Sequence, residues 1–515
     1  MKKNIYLLLR CLIWLILCAP AHAQINFKEA LDMPGEQIQV VKHTGTNDGG
    51  TMVLTFSMNT FSSVHSFTFI KTTPAGAVQW TKRLVGPSTV VYGNVVQSPD
   101  SGYFMCYADY ATVSTSYGIM KLSPVGNVVF SNKLNVSAPY LIAGVPEVLA
   151  KNDGGFYVAC DLIDTVTFNY MWHVFEISAA GNLVWSHAYN LNPAKSYHQG
   201  LDTCLNGDLM LAGFQFDPAV NTFVTVMTRV SAAGSPLWTK QYAAPNRSLP
   251  AVSVVRMSND YFYVLAATYN SAAALNECVL MKTDGQGNNL WSFLFSSPTM
   301  GLDPYELTAV ENNCIVITGS TYTGGTIIKT DSTGQIMCTR AFPNDIWNSM
   351  DTIQNGVYSF SGSSATGLAV LMTTGLCGNT CEDTLLTVIK TPLPITVSSP
   401  GSDVSIPMTL SANSLPTAFA TVHVIQLCST LGMEEPEYLP ATNVYPVPAT
   451  GTVHVESPEV ISLTELLDVH GRVVRSVSVN ATSHVLDLSD LAAGVYYLRV
   501  SSESKITTRK IVVQH

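Results

Sequence analysis

Short apolar runs fenced by turn residues recur along most of this chain. TMVLTFS (51–57), SFTFIKT (66–72) and FYVACDL (156–162) are examples. Each is long enough for a strand and too short for a typical helix. Turn signals come before them: Asn47-Asp48-Gly49-Gly50, Pro99-Asp100-Ser101-Gly102, Asn152-Asp153-Gly154-Gly155, Asn206-Gly207-Asp208, Ser258-Asn259-Asp260, Asn312-Asn313 and Asn355-Gly356. Such residues tolerate positive φ and favour tight turns between strands. A loop and a third strand follow, and then a phrase that recurs six times: KTTPAGAVQWTKRL, KLSPVGNVVFSNKL, EISAAGNLVWSHAY, RVSAAGSPLWTKQY, KTDGQGNNLWSFLF and KTDSTGQIMCTRAF.

The phrase places glycines at Gly76, Gly126, Gly181, Gly234, Gly287 and Gly334, spaced 50, 55, 53, 53 and 47 residues apart. Four residues after each glycine stand Trp80, Phe130, Trp185, Trp238, Trp291 and finally Cys338. Four strands in a period near 50 predict the blades of a β-propeller. One blade cannot bury both of its faces alone. The ring on the fourth strand is therefore expected to fill the widening gap beside the next blade, a structural role and not a ligand-stacking one. Residues 343–375 give a seventh unit without its fourth strand. Ile25-Asn26-Phe27-Lys28-Glu29-Ala30-Leu31 resembles the missing piece and is expected to close the ring, leaving no open sheet edge there.

Composition adds a compartment. Met1-Lys2-Lys3, an apolar stretch from Ile5 to Ala19 and Ala21-His22-Ala23 predict a cleaved signal peptide over 1–23, with Gln24 the first mature residue. The apolar core is shorter than the roughly 20 residues a membrane span needs. Without residues 1–23 the chain keeps 23 basic and 36 acidic residues, a formal charge of −13. That excludes nucleic acid and anionic membrane surfaces as main partners. Only 12% of residues are charged, so solubility must rest largely on Ser, Thr and Asn.

Nine cysteines remain after the signal. Cys106 and Cys160 read as small buried hydrophobes within strands; two of Cys377, Cys381 and Cys428 are candidates to pair. No zinc set, G-x-S-x-G elbow or H-x-x-x-H spacing occurs. Asp161 and Asp164 lack the cadence of a calcium loop. His198 with Asp202 is the best polar cluster, and a structural role is the expectation for it. The prediction is therefore no catalytic residue, no cofactor and no metal.

The phrase resembles the docking motif of quinoprotein-like propellers, in which an acidic residue, a Gly and a Trp four residues later lock adjacent blades; Asp284 and Asp331 keep the acid. The likeness stops at architecture, because the adjacent cysteines of the quinone-dependent dehydrogenases are missing. The last part of the chain changes in character. Tyr445-Pro446-Val447-Pro448 opens it; Asp468-Val469-His470-Gly471-Arg472 makes a turn between strands; Gly494-Val495-Tyr496-Tyr497 and Lys510-Ile511-Val512-Val513 end it. This tail resembles the type A C-terminal sorting domain of the type IX secretion system in Bacteroidota, departing from it at Val447 where an Asn is usual. The resemblance implies export across the outer membrane, with the secretion machinery as partner and either release or surface attachment.

The organisation expected is an all-β chain: signal peptide 1–23, seven-bladed propeller 24–376, β-rich extension or spacer 377–431, linker 432–442, and a small immunoglobulin-like sandwich serving as sorting domain over 443–515. The expected function is a monomeric exported protein, without a transmembrane anchor, that binds an extracellular glycan or protein. The alternative is an exported hydrolase or lyase acting on an extracellular polymer.

Overall fold

The structure, a computed structural model, describes residues 24–514 apart from 34–35, 60–64, 86–89, 110–115, 192–195, 258, 344, 355–356, 365–368, 376–383, 399–401, 406–407, 413–416, 419–422, 433–436, 439–441, 469–472 and 503–504. The expected signal peptide with Ala23, the Asn355-Gly356 turn, Cys377, Cys381, Gly471 and Arg472 lie outside the described residues. The rest divides into two units, 25–431 and the C-terminal segment from 432.

The larger unit is built of antiparallel sheets that follow one plan. In sheet 1, Glu36–Gly45, Thr51–Asn59, His65–Thr72 and Val78–Val85 pair in chain order. Sheets 2 to 6 repeat this over 90–136, 140–190, 196–243, 251–296 and 303–343. Sheet 7 takes Asp345–Gln354, Val357–Ser364 and Ala369–Gly375 from the end of the run, and its fourth strand, Gln24–Asp32, from the start of the described chain. Phe27 lies opposite Thr373 and Leu31 opposite Ala369. Lys28 reaches Asp345 on the first strand of the same sheet, Nζ to Oδ2 2.7 Å, with both side chains buried.

The fourth-strand turns share one geometry. Each glycine of the repeated phrase has a positive φ, between 74° and 87°, a region open to glycine and costly for other residues. Its N–H donates to the carbonyl three residues back, as in Gly76 to Thr73 at 3.0 Å. The glycine also meets the ring of the preceding sheet: a Cβ on Gly126 would lie 3.0 Å from the Trp80 indole, and one on Gly287 2.6 Å from Trp238. The five rings are half-buried at this contact.

Each sheet buries its two faces against its two neighbours. Phe67, Phe69, Tyr103 and Tyr107 fill the space between sheets 1 and 2. Phe104 stacks on Phe156 with centroids 3.6 Å apart between sheets 2 and 3. Further cores lie between sheets 3 and 4, 4 and 5, 5 and 6, and 6 and 7. A last one, with Leu31, Val40, Ile70 and Leu371, joins sheet 7 back to sheet 1. The first strands also touch in succession, and that of sheet 7 touches that of sheet 1. The sheets therefore form a closed circle with first strands innermost.

Residues 377–431, expected as an extension or spacer, add a fifth strand to every sheet. Thr384–Leu385 pairs with sheet 6, Ile389–Pro392 with sheet 5, Thr396–Ser398 with sheet 4, Ser402–Ser405 with sheet 3, Met408–Ala412 with sheet 2 and Thr417–Ala418 with sheet 1. His423–Gly432 then lies beside Gln24–Asp32 in sheet 7. The segment is a belt laid around the outer edges in descending order. The sequence shows the β-rich character of this segment but not its pairing with each sheet, because six of the seven fifth strands have only two to five residues and leave no periodic signal of their own.

The C-terminal unit has a long hairpin, Thr452–Leu467 with Val473–Asp487, whose register shifts between Glu456 and Ile461. Beyond that irregularity, Gly494–Ser501 and Lys505–Val513 extend the pairing from Leu463 onward; before it, Asn443–Tyr445 pairs with His454–Glu456. Glu437–Tyr438, within the expected linker, runs parallel to Lys505–Ile506. Val453, Val455, Leu466, Leu486, Leu498, Val500, Ile511 and Val513 form the buried core.

Candidate functional site

The innermost strands carry the polar residues of the circle. Six of the seven contain a register shift: Val40/Lys42, Val90/Tyr92, His198/Gly200, Ala251/Ser253, Pro304/Glu306 and Trp347/Ser349. In sheet 3 the inner strand is instead split into Tyr140–Ile142 and Glu147–Ala150. Such bulges bend a strand and re-aim its side chains.

Carboxylates of the inner strands, joined by Asp161 from the second strand of sheet 3, reach the next sheet. Asp161 Oδ1 accepts the His198 N–H at 2.7 Å; Asp202 Oδ2 accepts the Arg256 N–H at 2.7 Å; Glu306 Oε2 accepts the Met350 N–H at 2.8 Å. Asp351 Oδ2 accepts both the Gly45 N–H and the Thr44 hydroxyl at 2.8 Å. An inner strand has no partner on its axial side, so these acids satisfy backbone donors that the ladder leaves over. Lys42 Nζ forms an ion pair with Glu306 across sheet 7.

Burial and charge tune the ring. Burial pushes the carboxyls of Asp202 and Asp351 above the usual range, against the pull of the backbone N–H groups they accept. Burial would lower the Lys42 ammonium, but Glu306, with Glu147 and Asp351 behind it, more than offsets this and holds it raised. Glu147 is pushed up to about 8, first by burial and then by Glu306 and Asp202, with Lys42 opposing. Burial lowers His198 to about 4 and His43 to about 4. His43 is engaged by Ser361 Oγ at 2.6 Å and Ser359 Oγ at 2.8 Å.

The expected pairing of His198 with Asp202 takes a different form. Asp202 is occupied by the Arg256 N–H, and the carboxyl nearest the imidazole is Glu147, Oε2 to Nε2 3.9 Å. Asp161 is buried, and Asp164 caps a turn through the Val166 N–H. Among the described residues, no group of three or more His, Cys, Asp or Glu side chains is placed to hold a metal ion. Sequence reasoning passed over Lys42, Glu147, Glu306 and Asp351. A signal existed: Lys42, Asn94, Glu147, Asp202, Arg256, Glu306 and Asp351 recur at 45 to 55 residues, the period of the glycines.

The cysteines divide cleanly. Cys106, Cys160, Cys204, Cys278 and Cys314 are buried and free. Cys338, which replaces the aromatic ring in the sixth phrase, is disulfide-bonded.

In the tail, the Tyr445 hydroxyl donates to Glu456 at 2.6 Å and its ring stacks on His454. Val495 lies opposite Val512, and Tyr497 opposite Lys510. Tyr496 donates to the Ala492 carbonyl at 3.0 Å. The structure thus brings Gly494, Val495, Tyr496, Lys510 and Val512 onto one pair of strands, whereas Tyr445, Pro446 and Pro448 open the unit and Asp468 follows the Thr452–Leu467 strand.

Residues 443–514 match the secretion system C-terminal sorting domain family. A search of curated proteins by sequence finds no match. Three solved structures are similar at low scores. PorZ, an essential surface component of the type IX secretion system of Porphyromonas gingivalis, is 10% identical over 92% of this chain and 81% of its own, with a TM-score of 0.22. The β-propeller domain of the Trilobed protease from Pyrococcus furiosus is 10% identical over 69% and 97%, with a TM-score of 0.42. Drosophila Plexin A in complex with Semaphorin 1b gives 9% identity over 66% and 88%, with a TM-score of 0.33. Scores this low carry no argument, and the fold rests on the sheets themselves. The sorting domain marks a secreted or cell-surface protein. Among the described residues no helix is long and apolar enough to cross a membrane.

Proposed function

We propose that this chain is an exported binding module, attached to the cell surface or released, that takes an extracellular glycan or protein as ligand. In this reading the circle of sheets is a seven-bladed β-propeller closed by Gln24–Asp32, with Gly76, Trp80 and their counterparts docking one blade on the next. Residues 1–23 are a signal peptide cut after Ala23. The tail is an immunoglobulin-like sandwich that the type IX machinery of a Bacteroidota cell recognises through the Tyr445-Pro446-x-Pro448, Asp468-x-x-Gly471-Arg472 and Gly494-Val495-Tyr496 motifs.

The observation that carries the reading is the sorting-domain match over 443–514. Binding is favoured over hydrolysis by the state of the inner-ring acids and of Asp161 beside them. A glycan-cleaving pair needs two carboxyl groups free to meet the substrate. Asp161, Asp202, Glu306 and Asp351 are each held by backbone N–H groups of a neighbouring sheet, and the Leu201 N–H acts on Glu147 in the same way. The test is localisation of the chain with and without residues 443–515. The full chain should reach the surface or medium and the truncated one should stay in the periplasm. Equal export of both overturns the assignment.

A further inference from the structure

Four aromatic rings stand in a row outside the buried cores, on the face of the circle where second strands end and third strands begin. Tyr170 opens the third strand of sheet 3; Tyr197, Phe214 and Phe223 lie on the first, second and third strands of sheet 4. Successive centroids are 4.8, 5.0 and 5.4 Å apart. All four rings are only half-buried. The row thus crosses sheet 4 from its inner strand outward. Phe168, two residues before Tyr170, is 68% exposed and has a φ of +58°, a conformation costly for a bulky residue.

At the outer end of the row lies a cavity of about 670 Å³, within the range of small-molecule sites. Residues 220–222, which lead into Phe223, form one wall and residues 244–248 the other. The Leu249 N–H donates to the Phe223 carbonyl at 2.8 Å and ties the second wall to the row. Asn221, Thr222, Asn246 and Ser248 line the cavity, and among the described residues none of these four side chains has a hydrogen-bond partner. Arg247, the one cation of the lining, is paired with Glu277 at 2.5 Å. The nearby Asp217 accepts the Ala219 N–H at 2.8 Å.

Chemistry selects the ligand. An aromatic face is apolar and carries the negative side of the ring quadrupole, whereas amides and hydroxyls both donate and accept. A sugar ring presents the complement of both: a face of C–H groups and an edge of hydroxyls that donate and accept. An apolar peptide would desolvate the four polar side chains without pairing them. An acidic ligand would find no uncommitted cation.

We propose that the row from Tyr170 to Phe223 and the cavity beside it bind a neutral oligosaccharide. Sugar rings stack along the aromatic row, and their hydroxyls bond to Asn221, Thr222, Asn246 and Ser248. Phe168 extends the row at its exposed end.

This rests on reading the chain as a binding module and names the site and the ligand class. A chain that is exported but takes no sugar sinks this proposal alone; one that takes sugar but is not exported sinks the sorting assignment. The experiment is calorimetric titration of the purified full chain with the hexasaccharides of α-1,4-glucose, β-1,4-glucose, β-1,4-xylose, β-1,4-mannose and β-1,4-N-acetylglucosamine. Hexagalacturonate and a capped leucine-phenylalanine tetrapeptide serve as the acidic and apolar probes. Saturable binding of at least one neutral hexasaccharide is the expected result. F168G and N246G should each weaken it by about three- to tenfold. Glycine suits the positive φ at both positions, so both variants keep the fold. V129S, at an exposed position on sheet 2, should bind like the parent. Absence of binding by every neutral probe, preference for the acidic or the apolar probe, or parental affinity in both F168G and N246G overturns the proposal.

Discussion

Replacing Lys28 by Met tests whether the N-terminal strand is part of the circle. Lys28 stands on Gln24–Asp32 and Asp345 on the first strand of sheet 7, 2.7 Å apart, with side chains 5% and 3% exposed. Met keeps the length of the side chain and removes the charge, leaving the Asp345 carboxylate buried without this cation. Breaking one partner of such a pair costs about 3–5 kcal/mol. At about 2.1 cal/mol/K per residue over a unit of roughly 400 residues, unfolding carries about 0.85 kcal/mol/K. K28M should therefore lower the melting temperature by about 4–6 K. The double variant K28M/D345N should recover at least half of that, because the stranded charge is gone. Calorimetric melts of the full chain at pH 7 give both values. A K28M melt within about 1 K of the parent, or a double variant no better than K28M, refutes the buried pair.

Three further outcomes follow. G126A should destabilise by about 1–3 kcal/mol, since alanine there takes a φ of +80° and its Cβ lies 3.0 Å from the Trp80 ring; denaturant melts read the loss. Burial lowers His173 to about 3, so the unfolded chain binds its proton below about 6.5 while the folded one does not. The advantage of the parent over H173Q should then be full above pH 6.5 and shrink by about 1.4 kcal/mol per unit as pH falls toward 3, as stability curves at several pH values will show. Peptide mapping without reductant should link Cys338 to one of Cys377, Cys381 and Cys428, and C338A should lower stability by about 2–4 kcal/mol.

The parts of this molecule legible in its sequence are those repeated under the same constraint. A positive-φ turn admits few residues other than glycine, so Gly76 to Gly334 kept their spacing and announced the sheets. The inner-ring acids were readable only in retrospect. Lys42 and Arg256 alternate with carboxyls at the same period, so the signal lay in polarity and not in residue identity. The ion pair inside each of sheets 1 to 4 was hidden in the same way. Lys71–Asp48, Lys121–Asp100 and Arg229–Asp208 join the start of the phrase to the preceding turn, whereas in sheet 3 Glu176 meets Lys151 with the signs exchanged. Glu147 with His198 could not be paired from sequence, because 51 residues separate them and the bulge that turns His198 inward is a property of the ladder.

The belt from Thr384 to Gly432 gives the order of synthesis a mechanical meaning. Each wall of the circle can be raised before the hoop emerges, but every outer rim waits for the hoop, which is wound backward from the sixth wall to the first and fastened last against Gln24–Asp32. A chain cut short before residue 384 would own all its walls and no hoop, presenting seven bare rims at once to any neighbour able to pair with them. Completion of residues 384–432 is thus what separates a finished particle from a sticky one.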